Sequence, residues 1–129
     1  MGQQQLLLIV LGVIIVGIAV VVGINVFTAS SAQANRDGVV SDLTNLASLA
    51  QTYNRKPASL GGGGNSFVGW TIPTALATTG NGTYAASGHT ADAVTIVGTG
   101  TEIGNDGSTV LKVTMVVGKN GITSTTMTN

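Results

Sequence analysis

From Leu6 to Ile24 the chain runs for nineteen residues through Leu, Ile, Val, Ala and Gly alone. As a helix rising about 1.5 Å per residue, that run spans roughly 29 Å, close to the ~30 Å hydrocarbon thickness of a bilayer. A helix that is apolar all round does not stay soluble by itself, because no face of it prefers water. It requires lipid or other copies of itself. The first charged side chain of the protein is Arg36, so the whole preceding stretch is neutral as well as greasy.

Three arrangements fit such a start. A cleaved secretory signal would use Ala32-Gln33-Ala34 as its small-x-small site. That pattern, however, wants basic residues ahead of the apolar run and a run of only ~7–15 residues, and neither condition holds. A single-pass anchor fits the length. Its orientation would have to come from Arg36 and Arg55-Lys56, since no basic residue flanks the run on its N-terminal side. In the third arrangement Met1 is the first residue of a chain already processed.

The third arrangement has a family behind it. Met1-Gly2-Gln3-Gln4-Gln5-Leu6-Leu7-Leu8-Ile9-Val10-Leu11-Gly12-Val13-Ile14-Ile15 resembles the mature N-terminus of type IV pilins. Members of that family begin on a methylated hydrophobic residue, pass through a few polar positions and enter an unbroken apolar helix. The likeness covers about the first 55 residues by pattern. It implies a structural subunit of an extracellular, cell-surface filament, a helical homo-oligomer whose members sit in the inner or cytoplasmic membrane before assembly. Prepilin peptidase and a pilus assembly machinery are the implied partners, and attachment, surface movement, aggregation or DNA uptake the implied uses. Under this resemblance Met1 is the processing and methylation site. Gln5, Leu6, Leu7, Ile9, Val10, Gly12, Ile14, Gly17, Ile18 and Val21 are then the assembly residues.

Two positions depart from the family pattern. Gln5 stands where members usually carry a glutamate that neutralises the amino terminus of a neighbouring subunit. An amide can exchange hydrogen bonds there but brings no charge. The proline common near the Val22 position is absent, and Gly23 is the residue that could loosen the helix instead.

Beyond Phe27 the chain turns polar without losing helical spacing. Val39, Leu43, Leu46, Ala50 and Tyr53 recur at steps of four, three, four and three, which is one face of a helix. Arg55-Lys56 suit a helix C-terminus, and Pro57 stops the helix by removing a donor and restricting Lys56. The expectation is a single helix over about 6–55, apolar all round in its first half and striped in its second. Gly12, Gly17 and Gly23 suit close approach of neighbouring helices, although glycine is also frequent in ordinary membrane helices.

After Lys56 the text changes character. Gly61 to Gly64 reads as a flexible joint, since a phosphate loop would need a following Lys-Ser/Thr that Asn65-Ser66-Phe67 does not supply. Phe67, Trp70, Ile72 and Pro73 form a short apolar cluster expected to plug the head against the helix stripe. Val94 to Val97 and Val110 to Val117 are rich in β-branched residues. In the latter, Leu111, Val113, Met115 and Val117 alternate with Lys112 and Thr114, as a half-buried strand requires. Asn105-Asp106-Gly107 and Lys119-Asn120-Gly121 signal turns, the second a hairpin closed by a Thr-rich strand over 122–128. The predicted fold class is α+β, a long N-terminal helix with a small antiparallel sheet on its second half. The expected divisions are 1–26, 27–56 and 57–129.

Little of this chain looks catalytic. Five basic and five acidic side chains leave no net charge, so there is no footprint for specific nucleic acid binding. The absence of cysteine removes disulfides, thiolate metal sites and thioether-linked haem. The one histidine, His89, lies near Ser87 and Asp92 in sequence, but adjacency does not make a triad, and an exposed loop histidine is expected. The acids show neither calcium-loop nor paired-carboxylate spacing, and no cofactor is implied. Five scattered aromatics offer no chain for electron transfer. Asn81-Gly82-Thr83 matches the glycosylation acceptor pattern and also reads as a turn. Against the filament stands one reading of another class, a membrane-anchored surface module whose sheet binds a partner without polymerising.

Overall fold

The computed structural model describes residues 2–104 and 106–128 of the chain. Met1, and Asn105 of the first turn signal, lie outside the described residues. Helix α1 covers Gly2–Arg55, and a 3-10 turn follows at Ala58–Leu60. Next come a short helix α2 (Thr74–Ala77) and strands β1 (Thr78–Thr79), β2 (Gly82–Ser87), β3 (Ala93–Ile103), β4 (Val110–Gly118) and β5 (Gly121–Thr128). The strands pair antiparallel in chain order, each with the next, as a meander. The class is α+β, as the residue pattern predicts.

Two compact units divide the chain, one up to Ser31 and the other from Ala32 onward. In the first unit, α1 continues without a break through Gly12, Gly17 and Gly23. In the second, α1 lies on one face of the sheet. Ala32 is its first buried side chain, and Val39, Leu43, Leu46, Ala47 and Ala50 form the stripe. They meet Tyr84 of β2, Val94 and Ile96 of β3, and Leu111, Val113, Met115 and Val117 of β4. Phe67 and Trp70 close the same core with Ile72 packed against it, while Pro73 is exposed and starts α2. Tyr53, the last member of the predicted stripe, is only half-buried; its hydroxyl donates to the Val68 carbonyl at 3.0 Å.

Strand β3 is longer than its β-branched run. It continues through Gly98 and Gly100 because those positions lie where the helix presses on the sheet. A Cβ on Gly98 would stand 2.7 Å from Val39 Cγ1, and one on Gly100 would stand 2.2 Å from Asn35 Oδ1. Glycine weakens a strand locally, but here its missing side chain sets the separation of the two layers.

The run Gly61–Gly64 is not the flexible joint that its composition suggests. Gly61 ends the 3-10 turn in a left-handed conformation (φ 85°). The chain then folds back over the end of α1: Gly63 N–H donates to the Tyr53 carbonyl, Asn65 N–H to Asn54 and Gly64 N–H to Lys56. A helix leaves its last carbonyls without partners, and this wrap supplies them. Side chains are excluded for a concrete reason, since a Cβ on Gly63 would fall 1.8 Å from the Ser66 carbonyl oxygen.

Candidate functional site

The distinctive surface of this protein is the helix itself. From Gly2 to Ser30 every described side chain is exposed, and the large apolar ones between Leu6 and Phe27 are 52–72% exposed. No acid or base interrupts them. Gln5, Leu6, Leu7, Ile9, Val10, Ile14, Ile18 and Val21 all belong to this surface. At Gly12, Gly17 and Gly23 an added Cβ would meet nothing within 4 Å. Nothing within the chain therefore demands their small size. By length and composition the helix can cross a membrane. Exposed apolar area on this scale suits contact with a bilayer or with other apolar surfaces.

In the second unit the polar residues of α1 clamp the helix to the sheet. Asn35 is the first clamp. Its Oδ1 accepts from the backbone N–H groups of Thr101 and Glu102 at 3.0 and 3.2 Å, and its Nδ2 donates to the Asn81 carbonyl at 2.8 Å. One helical side chain thus holds both the end of β3 and the β1–β2 turn.

Asp42 is the second clamp. Its Oδ2 accepts from Thr79 Oγ1 at 2.7 Å, Asn81 Nδ2 at 3.1 Å and the Tyr84 hydroxyl at 2.5 Å. Burial acts to raise the Asp42 carboxyl, but the bonds from Tyr84, Thr79 and Asn81 outweigh it and hold the group below the ordinary carboxylate range. Burial first, and then donation to Asp42, push the Tyr84 phenol up to about 12. The sequence pattern gave no sign of this cluster, because its members are up to 42 residues apart.

Asn81 occupies the β1–β2 turn, as its Asn-Gly signal suggests. Its side-chain nitrogen is engaged by Asp42, so a sugar attached there would displace that bond. Gly38 of α1 accommodates it; a Cβ on Gly38 would stand 2.6 Å from Asn81 Oδ1.

His89 differs from the exposed residue expected. It is half-buried, and its Nε2 has neither solvent nor a hydrogen-bond partner among the described residues. The cause is local: Thr90 accepts from Phe67 N–H and donates to Ala93, which pins the β2–β3 loop against the Phe67 segment. Asp92, its neighbour in sequence, is paired instead with Lys119 at 3.3 Å. Among the described residues no three His, Asp or Glu side chains gather as a metal site would require. A cleft of about 310 Å3 beside Tyr53, Lys56, Trp70 and Pro73 holds one cation and no acid to pair with it.

Comparison with protein-family models, with curated proteins and with solved structures returned no match. The functional reading therefore rests on the residues themselves.

Proposed function

We propose that this protein is the structural subunit of an extracellular type IV pilus-like filament, polymerising through its apolar N-terminal helix. One observation carries the reading: the helix from Gly2 to Ser30 is exposed throughout, uncharged, and apolar from Leu6 onward except at Asn25 and beyond Phe27. Before assembly the bilayer covers that surface; in a filament, the same surface of neighbouring copies does. The exchange needs no chemistry in the head, whose polar clusters serve to fix helix to sheet. Glycines at 12, 17 and 23 let helices approach closely, where dispersion contacts are strongest.

The same helix favours a second reading, a single-pass anchor carrying a surface head that does not polymerise. Mass spectrometry of the N-terminal peptide in material sheared from cells separates the two. A methylated Met1 in the sheared fraction supports the filament. A protein confined to the membrane fraction, with Met1 unmodified, supports the anchor, and a chain starting at Asn35 removes both.

A further inference from the structure

The two edges of the sheet are unlike. At one edge β1 has two residues and runs directly out of α2, so almost no free backbone is offered. At the other, β5 runs from Gly121 to Thr128 with no neighbour on its outer side among the described residues. Proteins usually blunt such an edge with charge, proline, a bulge or a covering segment. β5 has no charged residue and no proline. Its register irregularity falls beside Thr123, and pairing from Ser124 to Thr128 is regular. The helix does not cover it either, since every residue from Ile122 to Thr128 is exposed.

We infer that the outer edge of β5 is a self-association site, pairing antiparallel with β5 of a second copy. The occupant follows from what the edge can accept. A strand needs a strand of similar length, and among the described residues the other free edge, β1, offers two residues. Head-to-tail pairing of β1 with β5 is therefore too short, which leaves β5 with itself. A two-fold axis normal to the sheet at Thr125 sets Ser124 opposite Thr126 in both copies, hydroxyl against hydroxyl, with no like charges to repel. The register with β4 places Ile122 and Met127 on the helix-bearing side, opposite Val117 and Val113. They are 43% and 53% exposed in the single chain. The two-fold brings Met127 of one copy beside Thr123 and Ile122 of the other, so the contact covers the exposed apolar atoms of β5.

The symmetry has a consequence for assembly, and this step rests on the filament reading. A two-fold normal to the sheet reverses the helix lying on it, so the two α1 sections borne by the paired sheets run in opposite directions. Subunits of one filament all run the same way. The β5 contact accordingly joins different filaments of opposite polarity, as in bundling.

Because the chain lacks cysteine, single cysteines report on the contact cleanly. Full-length Thr125→Cys, and a mixture of Ser124→Cys and Thr126→Cys chains, oxidised mildly in detergent, are expected to give a disulfide dimer, with Ser87→Cys on β2 as the collision control. Adding Thr125→Lys to both chains of the mixture should abolish the dimer by opposing two like charges, while the thermal transition read by Trp70 emission stays in place. Cross-linking no greater than that of the Ser87 control overturns the inference. So does a cross-linked product from cells whose mass is not twice that of the chain. Filaments without the cross-link leave the proposed function standing and remove this contact; the cross-link without filaments does the reverse.

Discussion

The Asp42 carboxylate of α1 accepts the Tyr84 hydroxyl of β2 at 2.5 Å, with Thr79 and Asn81 donating to the same oxygen. Tyr84 is 6% exposed and contributes its ring to the core under the helix. One residue thus takes part in apolar packing and in a polar clamp. Sliding the helix along the sheet would break both.

Replacing Asp42 with Ala removes the acceptor of three donors and leaves the buried Tyr84 hydroxyl unpaired. The expected loss is about 1–3 kcal/mol of stability. Tyr84→Phe removes donor and desolvation together and should cost about 1 kcal/mol. Denaturant unfolding followed by Trp70 emission checks the order. Equal losses for the two variants would mean that the hydroxyl stranded by Asp42→Ala, and the two other freed donors, carry no penalty beyond the lost bond.

The same pair sets the pH limits of the head. The Asp42 pKa lies below its unfolded value, so its contribution is present above about 4 and fades as pH falls through the lowered folded value. The Tyr84 pKa is raised to about 12. Its contribution is complete below the unfolded value of about 10 and is lost as pH climbs towards 12. In a Tyr53→Phe chain, the tyrosinate absorbance then belongs to Tyr84 alone. Asp42→Asn should move that titration to lower pH, because it removes the negative charge and the strongest acceptor. An unmoved titration would show that burial alone holds the phenol protonated.

Gly100→Ala should destabilise the head by about 1–3 kcal/mol, the usual cost of overpacking. The new methyl would stand 2.7 Å from Leu111 Cδ1 as well as on Asn35 Oδ1, in a place closed on both sides. Gly80→Ala, where a Cβ meets nothing within 4 Å, is the control and should fall within about 0.5 kcal/mol of the parent. Thermal melts of the two chains in one detergent decide the matter.

Most of the helix and sheet was legible because periodicity carries it. The steps of Val39, Leu43, Leu46 and Ala50, and the alternation of Leu111, Val113, Met115 and Val117, state which faces are buried, and those faces meet. What escaped is what depends on contact between distant segments. Gly98 and Gly100 carry no mark in the sequence of the helix that packs above them. Asn35 and Asp42 fall outside the apolar periodic stripe, and their partners come from the sheet, so no local pattern marks them. The four glycines from Gly61 read as a joint because composition reports freedom in the unfolded chain and not the carbonyls waiting at the helix end. The apolar N-terminal surface was legible at once, because composition and charge alone mark it.

The wrap at Gly61–Gly64 gives a prediction opposite to that of a flexible linker. Amide hydrogens of Gly63, Gly64 and Asn65 should exchange slowly, since they donate at 2.7–3.0 Å to the carbonyls of Tyr53 and Asn54 in α1 and of Lys56 just beyond it. Gly63→Ala should lose that protection and destabilise the head by more than the about 1 kcal/mol of an ordinary helix-end change, because the methyl collides with backbone. Fast exchange at all three amides in the parent chain would restore the linker.

Ile14→Lys tests the surface on which the proposed function stands. Ile14 is 52% exposed and lies near the middle of the apolar stretch, in the first of the two units. A lysine at the centre of a membrane helix costs about 2.5–3.5 kcal/mol on insertion scales. In a packed filament core the same charge would lie in an apolar interior with no acid before Asp37 to pair with it. Fewer filaments and poorer membrane retention are expected together, with the Trp70 melt of the head unchanged. Ile14→Leu, which keeps the apolar character, should assemble as the parent does. If the lysine chain still yields normal filaments in sheared material, the helix around Ile14 is not the assembly surface, and polymerisation would have to be sought in the head.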